Sequence, residues 1–294
     1  MDKNIIHHDV ELKKFNSWKV GGTAEQFLIC DEKDILASFI KKKKIKLPMT
    51  FVGLGSNLLV RDGGIKGTVI VMNGGLRKIN NDENTIYTEA GVSCSKLSKF
   101  SAKEGLASSA FFSGIPGTVG GALFMNAGCY GSETWDYVQK VLMINVNGDQ
   151  IERKKSDFQI GYREVKNSNK GEYFLAAWFK FPKGNKDKAE NEIKELLAHR
   201  KNTQPLDWPT AGSTFRNPYG NFAAKLIEDC GLKGYKIGGA QVSEKHANFI
   251  INLGNASALD IENIITYIQK VVFEKKNIQL LREIKIIGEK LGSQ

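Results

Sequence analysis

Apolar and polar positions change rhythm along this chain. Short stretches rich in β-branched and aromatic residues predict strands at 51–52, 68–72, 85–89, 141–146, 150–153 and 173–181. Asn147-Gly148 lies between two of them and is a strong hairpin turn signal. Helical spacing predicts helices over 34–43, 94–104, 186–200, 222–230 and 258–275. The last pattern is the clearest. Ser257 and Asp260 read as a capping box, and Ile261, Ile264, Ile265, Ile268, Val271 and Val272 then share one face. A final strand is expected over 279–287, with Arg282, Ile284 and Ile286 on one side and Glu283 and Lys285 on the other.

There is no internal repeat. The polar stretch 182–191 separates a strand-rich, glycine-rich region from one with more helix. The chain is therefore divided near 184, with a subdivision near 75, and its class is α+β.

Composition narrows the choices. The 294 residues are 41% hydrophobic and 25% charged, which excludes a disordered or collagen-like chain. No apolar run approaches the ~18 residues of a membrane span, and the opening MDKNIIHHDVELKKF does not look like a secretory signal. The expectation is a cytoplasmic protein without membrane insertion. The net charge of +10 is compatible with nucleic acid, a membrane surface or anionic small molecules. The densest basic run, Lys41 to Lys44, follows a helical stretch and reads as a frayed helix end, where cations suit the dipole. No nucleic-acid-binding signature accompanies it, so no nucleic-acid partner is expected. Cys30, Cys94, Cys129 and Cys230 form no Cys-x-x-Cys, and the four histidines include no His-Glu-x-x-His; neither a disulfide framework nor a metal is expected.

Two segments carry unusual glycine density. In FVGLGSNLLVRDGG, 51–64, a strand runs into Gly53-Leu54-Gly55-Ser56-Asn57-Leu58. Leu58 stands where a Rossmann fingerprint needs its third glycine, and there is no P-loop lysine. The segment is either a tight turn or a backbone cradle for a pyrophosphate, to which Ser56 and Asn57 could add hydrogen bonds. The second, SGIPGTVGGALFMNAGCYG, 113–131, combines the fixed angle of Pro116 with the freedom of Gly114, Gly117, Gly120 and Gly121. It is either a buried crossover or a rigid wrap around a flat ligand. Together the two favour a dinucleotide more than either does separately.

In order along the chain, these segments are followed by Asn126-Ala127-Gly128 with Tyr130-Gly131, Arg200 with Gln204-Pro205, 211–218, 239–249 and 281–285. This series resembles the UDP-N-acetylenolpyruvoylglucosamine reductase (MurB) family over nearly the whole chain. The short interval between Arg163 and Ser213 resembles the shorter class, which lacks an inserted loop with a substrate-capping tyrosine. The resemblance implies an FAD-binding region of the p-cresol methylhydroxylase type built of two α/β subdomains, 1–75 and 76–184, followed by an α+β substrate-binding domain, 185–294. It implies a monomeric oxidoreductase that uses NADPH and FAD to reduce an enolpyruvyl UDP-sugar. No histidine lies near the first glycine turn, so the FAD is expected to be non-covalent. Anionic ligands of this kind give the basic charge a reason.

The same resemblance carries roles to individual residues. Gly53, Leu54, Gly55, Ser56, Asn57 and Leu58 would hold FAD, with Gly114, Ile115, Pro116, Gly117, Thr118, Gly121, Asn126 and Gly128. Arg163, Ser213 and Glu283 match catalytic positions: Arg163 as a planar cation for a developing enolate, Ser213 as proton donor, and Glu283 as a partner of the substrate carboxylate or an aid to proton delivery. Taken without the resemblance, Arg163 reads as a surface ion-pair arginine, Ser213 as a cap and Glu283 as an exposed strand carboxylate. Tyr130, Arg200, Asn217 and His246 would contact substrate. The family usually follows Tyr-Arg with any residue and then serine; here Glu164 and Val165 follow Arg163. Two other readings are an FAD oxidase of the same superfamily, using oxygen in place of NADPH, and a basic binding protein without flavin.

Overall fold

The computed structural model describes residues 1–83, 85–167 and 169–292. Its contacts group the chain into two compact units that interleave along the sequence. One comprises Met1–His8, Gln26–Leu54 and Gly67–Arg200; the other comprises Asp9–Glu25, Gly55–Lys66 and Lys201–Gln294.

The first unit is built on a five-stranded antiparallel sheet in the order Gln150–Lys154, Val138–Asn145, Glu172–Lys180, Thr85–Glu89, Ile79–Asp82. Asn147-Gly148 makes the expected hairpin, with Gly148 at φ +81° and Gly148 N–H donating to Asn145 O at 3.0 Å. A second sheet contains the parallel pair Met49–Val52 and Ile65–Val71, where Met49 lies opposite Thr68 and Val52 opposite Val71. Helices α1 (Lys33–Lys41), α2 (Cys94–Lys103), α3 (Val119–Phe124) and α4 (Lys186–Thr203) complete it. Leu36, Ala37 and Ile40 of α1 pack with Leu28, Ile70 and Leu175. A separate core joins Leu97 of α2, Val119 and Leu123 of α3, Trp135, and the Phe112 ring set edge-on to Phe179 at 5.6 Å. The lysine run is a helix end as expected: α1 stops at Lys41, and Lys43 turns to φ +52°.

Helix α3 lies inside the second glycine segment, where the composition argued for irregular backbone. Gly120 and Gly121 are poor helix formers. Thr118 nevertheless caps the turn, accepting from Gly121 N–H at 3.4 Å, while Val119, Ala122 and Leu123 are buried. Packing and the cap outweigh propensity over so short a helix.

The second unit packs α5 (Ala223–Asp229) and α6 (Ala258–Lys276) with a three-stranded antiparallel sheet, Lys236–Ile237, Ala240–Val242 and Ile250–Asn252. The capping box of α6 is present in both directions. Asp260 N–H donates to Ser257 Oγ at 3.0 Å, and Ser257 N–H to Asp260 Oδ2 at 2.9 Å. Every apolar residue predicted on its inner face is buried, from Ile261 to Val272; each large side chain so buried contributes about 1.5–3 kcal/mol. Trp18, fully buried, donates its indole N–H to Ile250 O at 2.8 Å.

The final strand departs from expectation. Only Lys285–Ile287 is a strand, parallel to Leu58–Val60. Before it, Arg282 forms an isolated antiparallel bridge with Phe215. The backbone changes partner between the two, so the two-residue alternation breaks: Ile284 is buried while Arg282 is exposed. A uniform face assignment requires one continuous ladder, and this segment has two short ones. The mixed content makes the fold α+β. No described helix is long and apolar enough to cross a membrane.

Candidate active site

In the first unit the two glycine segments meet. A Cβ on Gly53 would strike Thr118 Oγ1. At Gly114 it would lie 2.8 Å from Tyr130 Cε2 and 2.9 Å from Cys129 Sγ, and at Gly120 it would lie 2.9 Å from Ala90 Cβ. These positions tolerate no side chain, so the backbone lies flush against its neighbours. The buried Ser113 hydroxyl, adjoining Gly114, has no hydrogen-bond partner among the described residues. An orphaned buried hydroxyl beside a side-chain-free backbone fits a flat polar ligand. Gly117 and Thr118 are buried, whereas Pro116 and Gly121 are exposed.

Arg163 sits at φ +56° in the turn joining Phe158–Gly161 to Glu164–Asn167, where Gly161 pairs with Glu164. Its guanidinium donates to Asn126 O at 3.3 Å and to Gly128 O, and it lies 5.2 Å from the Tyr162 ring centroid. Glu164 is exposed and begins the return strand.

Tyr130, also at positive φ (+54°), donates its hydroxyl proton to Leu196 O at 3.2 Å, and its ring meets His199 edge-on at 6.0 Å. Burial pushes the Cys129 thiol up to about 11, while the Arg163 and Arg200 charges pull the other way. Burial also lowers the Arg200 guanidinium, which Tyr130 and Cys129 partly offset. Arg163, Arg200, Cys129, Tyr130 and Gly114 thus share one electropositive corner. Two guanidiniums in a partly dehydrated place suit a carboxylate or a phosphate.

The second unit holds the rest of the first glycine turn. Gly55, at φ +63°, has no room for a Cβ, which would lie 2.6 Å from Asn16 Cα. Ser56 and Leu58 are half-buried. Asn57 donates its amide to Glu283 O at 3.2 Å, and its own carbonyl accepts from Lys285 N–H at 2.9 Å. Glu283 N–H in turn donates to Thr214 O at 2.8 Å. Ser213 and Glu283, far apart in sequence, therefore stand on neighbouring backbone segments. Gly212, at φ +75°, has no other atom within 4 Å of a Cβ placed on it. The buried Thr214 hydroxyl has no partner among the described residues.

Asn217 and His246 make local bonds. Asn217 Oδ1 accepts from Ala223 N–H at 3.0 Å, capping α5. His246 Nδ1 accepts from Asn248 N–H at 3.3 Å, which leaves the ring proton on Nε2; burial lowers its basicity, so the ring is neutral at pH 7.

Residues 26–153 match the family described as FAD binding domain, and residues 204–287 match the one described as UDP-N-acetylenolpyruvoylglucosamine reductase, C-terminal domain. The UDP-N-acetylenolpyruvoylglucosamine reductase of Nitrosococcus oceani is 46% identical over 285 residues, covering 97% of this chain and 95% of that protein. The chain belongs to the UDP-N-acetylenolpyruvoylglucosamine reductase family. The reductase of that name from Legionella pneumophila (strain Paris) is 48% identical over 280 residues, 95% of this chain and 92% of its own. The crystal structure of the Thermus caldophilus reductase superposes with a TM-score of 0.81 at 28% identity, covering 96% of this chain and 99% of that one. As a member of this reductase family with an FAD binding domain, the protein is an FAD-dependent oxidoreductase.

Two asparagine roles escaped the sequence reading. The amide of Asn126, an expected cofactor contact, is buried and bonded to Glu133, Trp135 and Gly161. Asn248, part of the 239–249 motif but without an expected role, holds Phe215 at both backbone atoms, with Phe215 N–H to Oδ1 at 3.0 Å and Nδ2 to Phe215 O at 2.8 Å. An asparagine within an apolar run is the available signal, since a buried amide needs partners.

Proposed function

We propose that this reductase converts UDP-N-acetylglucosamine enolpyruvate to UDP-N-acetylmuramate with NADPH, a cytoplasmic step of peptidoglycan precursor synthesis. The observation that carries this reading is likeness at 46–48% identity across almost the entire chain to proteins named for that reaction. Overall, one hydride and one proton add across the enol ether double bond, and NADPH becomes NADP⁺. FAD, when bound, relays the hydride to the terminal carbon of the enol ether.

The chain's own residues manage the charge and the proton. Arg163, held by two carbonyl oxygens, keeps a cation near the substrate carboxylate as negative charge grows there. The Ser213 hydroxyl gives its proton to the neighbouring carbon. Glu283 pairs with the substrate carboxylate or assists that proton delivery. Tyr130 and Arg200 take anionic parts of the UDP-sugar, as do the amide nitrogen of Asn217 and Nε2 of His246. Gly53, Leu54, Gly55, Ser56, Asn57 and Leu58, with Gly114, Ile115, Pro116, Gly117, Thr118, Gly121 and Gly128, hold FAD non-covalently. The proposed domains are the FAD-binding subdomains 1–75 and 76–184 and the substrate-binding region 185–294, in a monomer.

The test is anaerobic absorbance of the flavin-loaded protein. NADPH is expected to bleach the flavin, and the enolpyruvyl substrate to restore the oxidised spectrum. Bleaching without recovery removes this substrate. Bleaching by an alcohol with recovery by oxygen favours an oxidase, and failure to take up FAD favours a binding protein.

A further inference from the structure

We propose that Asn126 is the positioning residue of Arg163, acting through its side chain and not as a cofactor contact; this rests on the role of Arg163 proposed above. Asn126 is 1% exposed. Its Nδ2 donates to Glu133 Oε2 at 2.7 Å and to Gly161 O at 3.2 Å, and its Oδ1 accepts from Trp135 N–H at 3.1 Å. Both amide hydrogens and the carbonyl are thereby used inside the protein. Gly161 lies two residues before Arg163, so the amide grips the strand that enters the arginine's turn. The backbone of the same segment receives the guanidinium, at Asn126 O and Gly128 O.

Asn126 thus meets Arg163 at both ends, once through the turn that carries it and once through the carbonyls that aim it. Both residues occupy the left-handed region, Asn126 at φ +45° and Arg163 at φ +56°. Asparagine accepts that conformation more readily than most residues. Neither aspartic acid, with one hydrogen at most, nor leucine, with none, can donate to Glu133 and Gly161 together.

The experiment uses the flavin-loaded protein and rapid-mixing absorbance. Asn126→Ala is expected to slow flavin reoxidation by the enolpyruvyl substrate by about 10- to 100-fold, the usual effect of an ångström-scale misplacement. Flavin content and bleaching by NADPH stay unchanged. In an Arg163→Ala background the same change adds less than about threefold, because the residue it acts through is gone. Asn126→Asp sets two carboxylates against each other, which raises the pKa of the pair. Adding Glu133→Gln to Asn126→Asp restores a donor between positions 126 and 133 but none to Gly161 O. Thermal stability then recovers while reoxidation stays slow.

Recovery of both in that double variant would reduce Asn126 to local stability and overturn the proposal. Full additivity with Arg163→Ala also overturns it, as does loss of flavin from a folded Asn126→Ala protein, which would make the side chain a cofactor contact. A slow Arg163→Ala with a normal Asn126→Ala sinks this inference alone. A normal Arg163→Ala sinks the role of Arg163 on which it depends.

Discussion

The turn that carries Arg163 and the irregular segment that carries Ser213 are each organised by a buried asparagine, by opposite means. Asn126 spreads its amide over two separate segments, Glu133 with Trp135 on one and Gly161 on the other, and the guanidinium of Arg163 is itself tied to backbone carbonyls. Asn248 spends both amide atoms on a single residue, Phe215, and adds its own carbonyl to Thr214 N–H at 2.8 Å. The first arrangement fixes the direction of a long side chain that leaves an irregular turn. The second imitates a rung of β-ladder and fixes backbone register, leaving a short hydroxyl to be placed by its Cα. A flexible cation needs restraint along its length, whereas a serine needs a well-placed main chain.

Breaking the chemistry of the second region while leaving its frame intact gives the largest effect. Ser213→Ala is expected to slow reoxidation by the enolpyruvyl substrate about 10²- to 10⁴-fold, with bleaching by NADPH unaffected. Loss of bleaching in a folded variant would remove the proton-donor role. Breaking the frame while keeping the serine is the complementary change. Asn248→Ala strips the buried Phe215 N–H and C=O of their side-chain partners. The expected loss is about 2–4 kcal/mol, read as a Tm lowered by several degrees, and reoxidation falls less than in Ser213→Ala. A variant with unchanged Tm would show that water or a neighbour replaces the amide easily.

The smallest expected effect compares two arginine–glutamate pairs, one in each unit. Arg153 holds the Glu172 carboxyl below its ordinary value of 4.5 through hydrogen bonds, and Arg61 does the same for Glu262. A carboxyl with a depressed folded pKa stabilises the protein fully above its ordinary value. That contribution disappears as pH falls through the depressed value. Melting between pH 6 and pH 3 should show Glu172→Gln and Glu262→Gln each flattening the acid-side loss, by no more than about 1 kcal/mol apiece. A steeper acid loss in either variant would reverse the sign assigned to that pair.

The sequence pattern shows the elements clearly and the site in fragments. The inner face of α6 and its capping box lie within a few turns of one another, and Asn147-Gly148 needs only its own backbone angles. The glycine segments were legible because backbone approach excludes side chains at Gly53 and Gly114. Short-range signals could not tell that 282 pairs with 215 while 285–287 pairs with 58–60, so the alternation drawn across 279–287 failed at Ile284. The role expected of Glu283 comes through resemblance, and local periodicity points the other way. Nor does any local feature reveal that 9–25 and 55–66 group with the C-terminal region.

By itself, then, the sequence determined five of the helices and the buried face of α6, the hairpin turn, the glycine-rich backbone and the family to which those motifs point. Each depends on neighbours a few residues away, on φ/ψ preference or on periodicity. Tertiary structure alone decided which carbonyls receive Arg163, which segment stands beside Glu283, and what Asn126 and Asn248 do with their amides. Those are hydrogen bonds between segments distant along the chain, such as the 35 positions separating Asn126 from Gly161. Their partners are chosen when packing closes the intervening loops and every buried donor and acceptor must be matched.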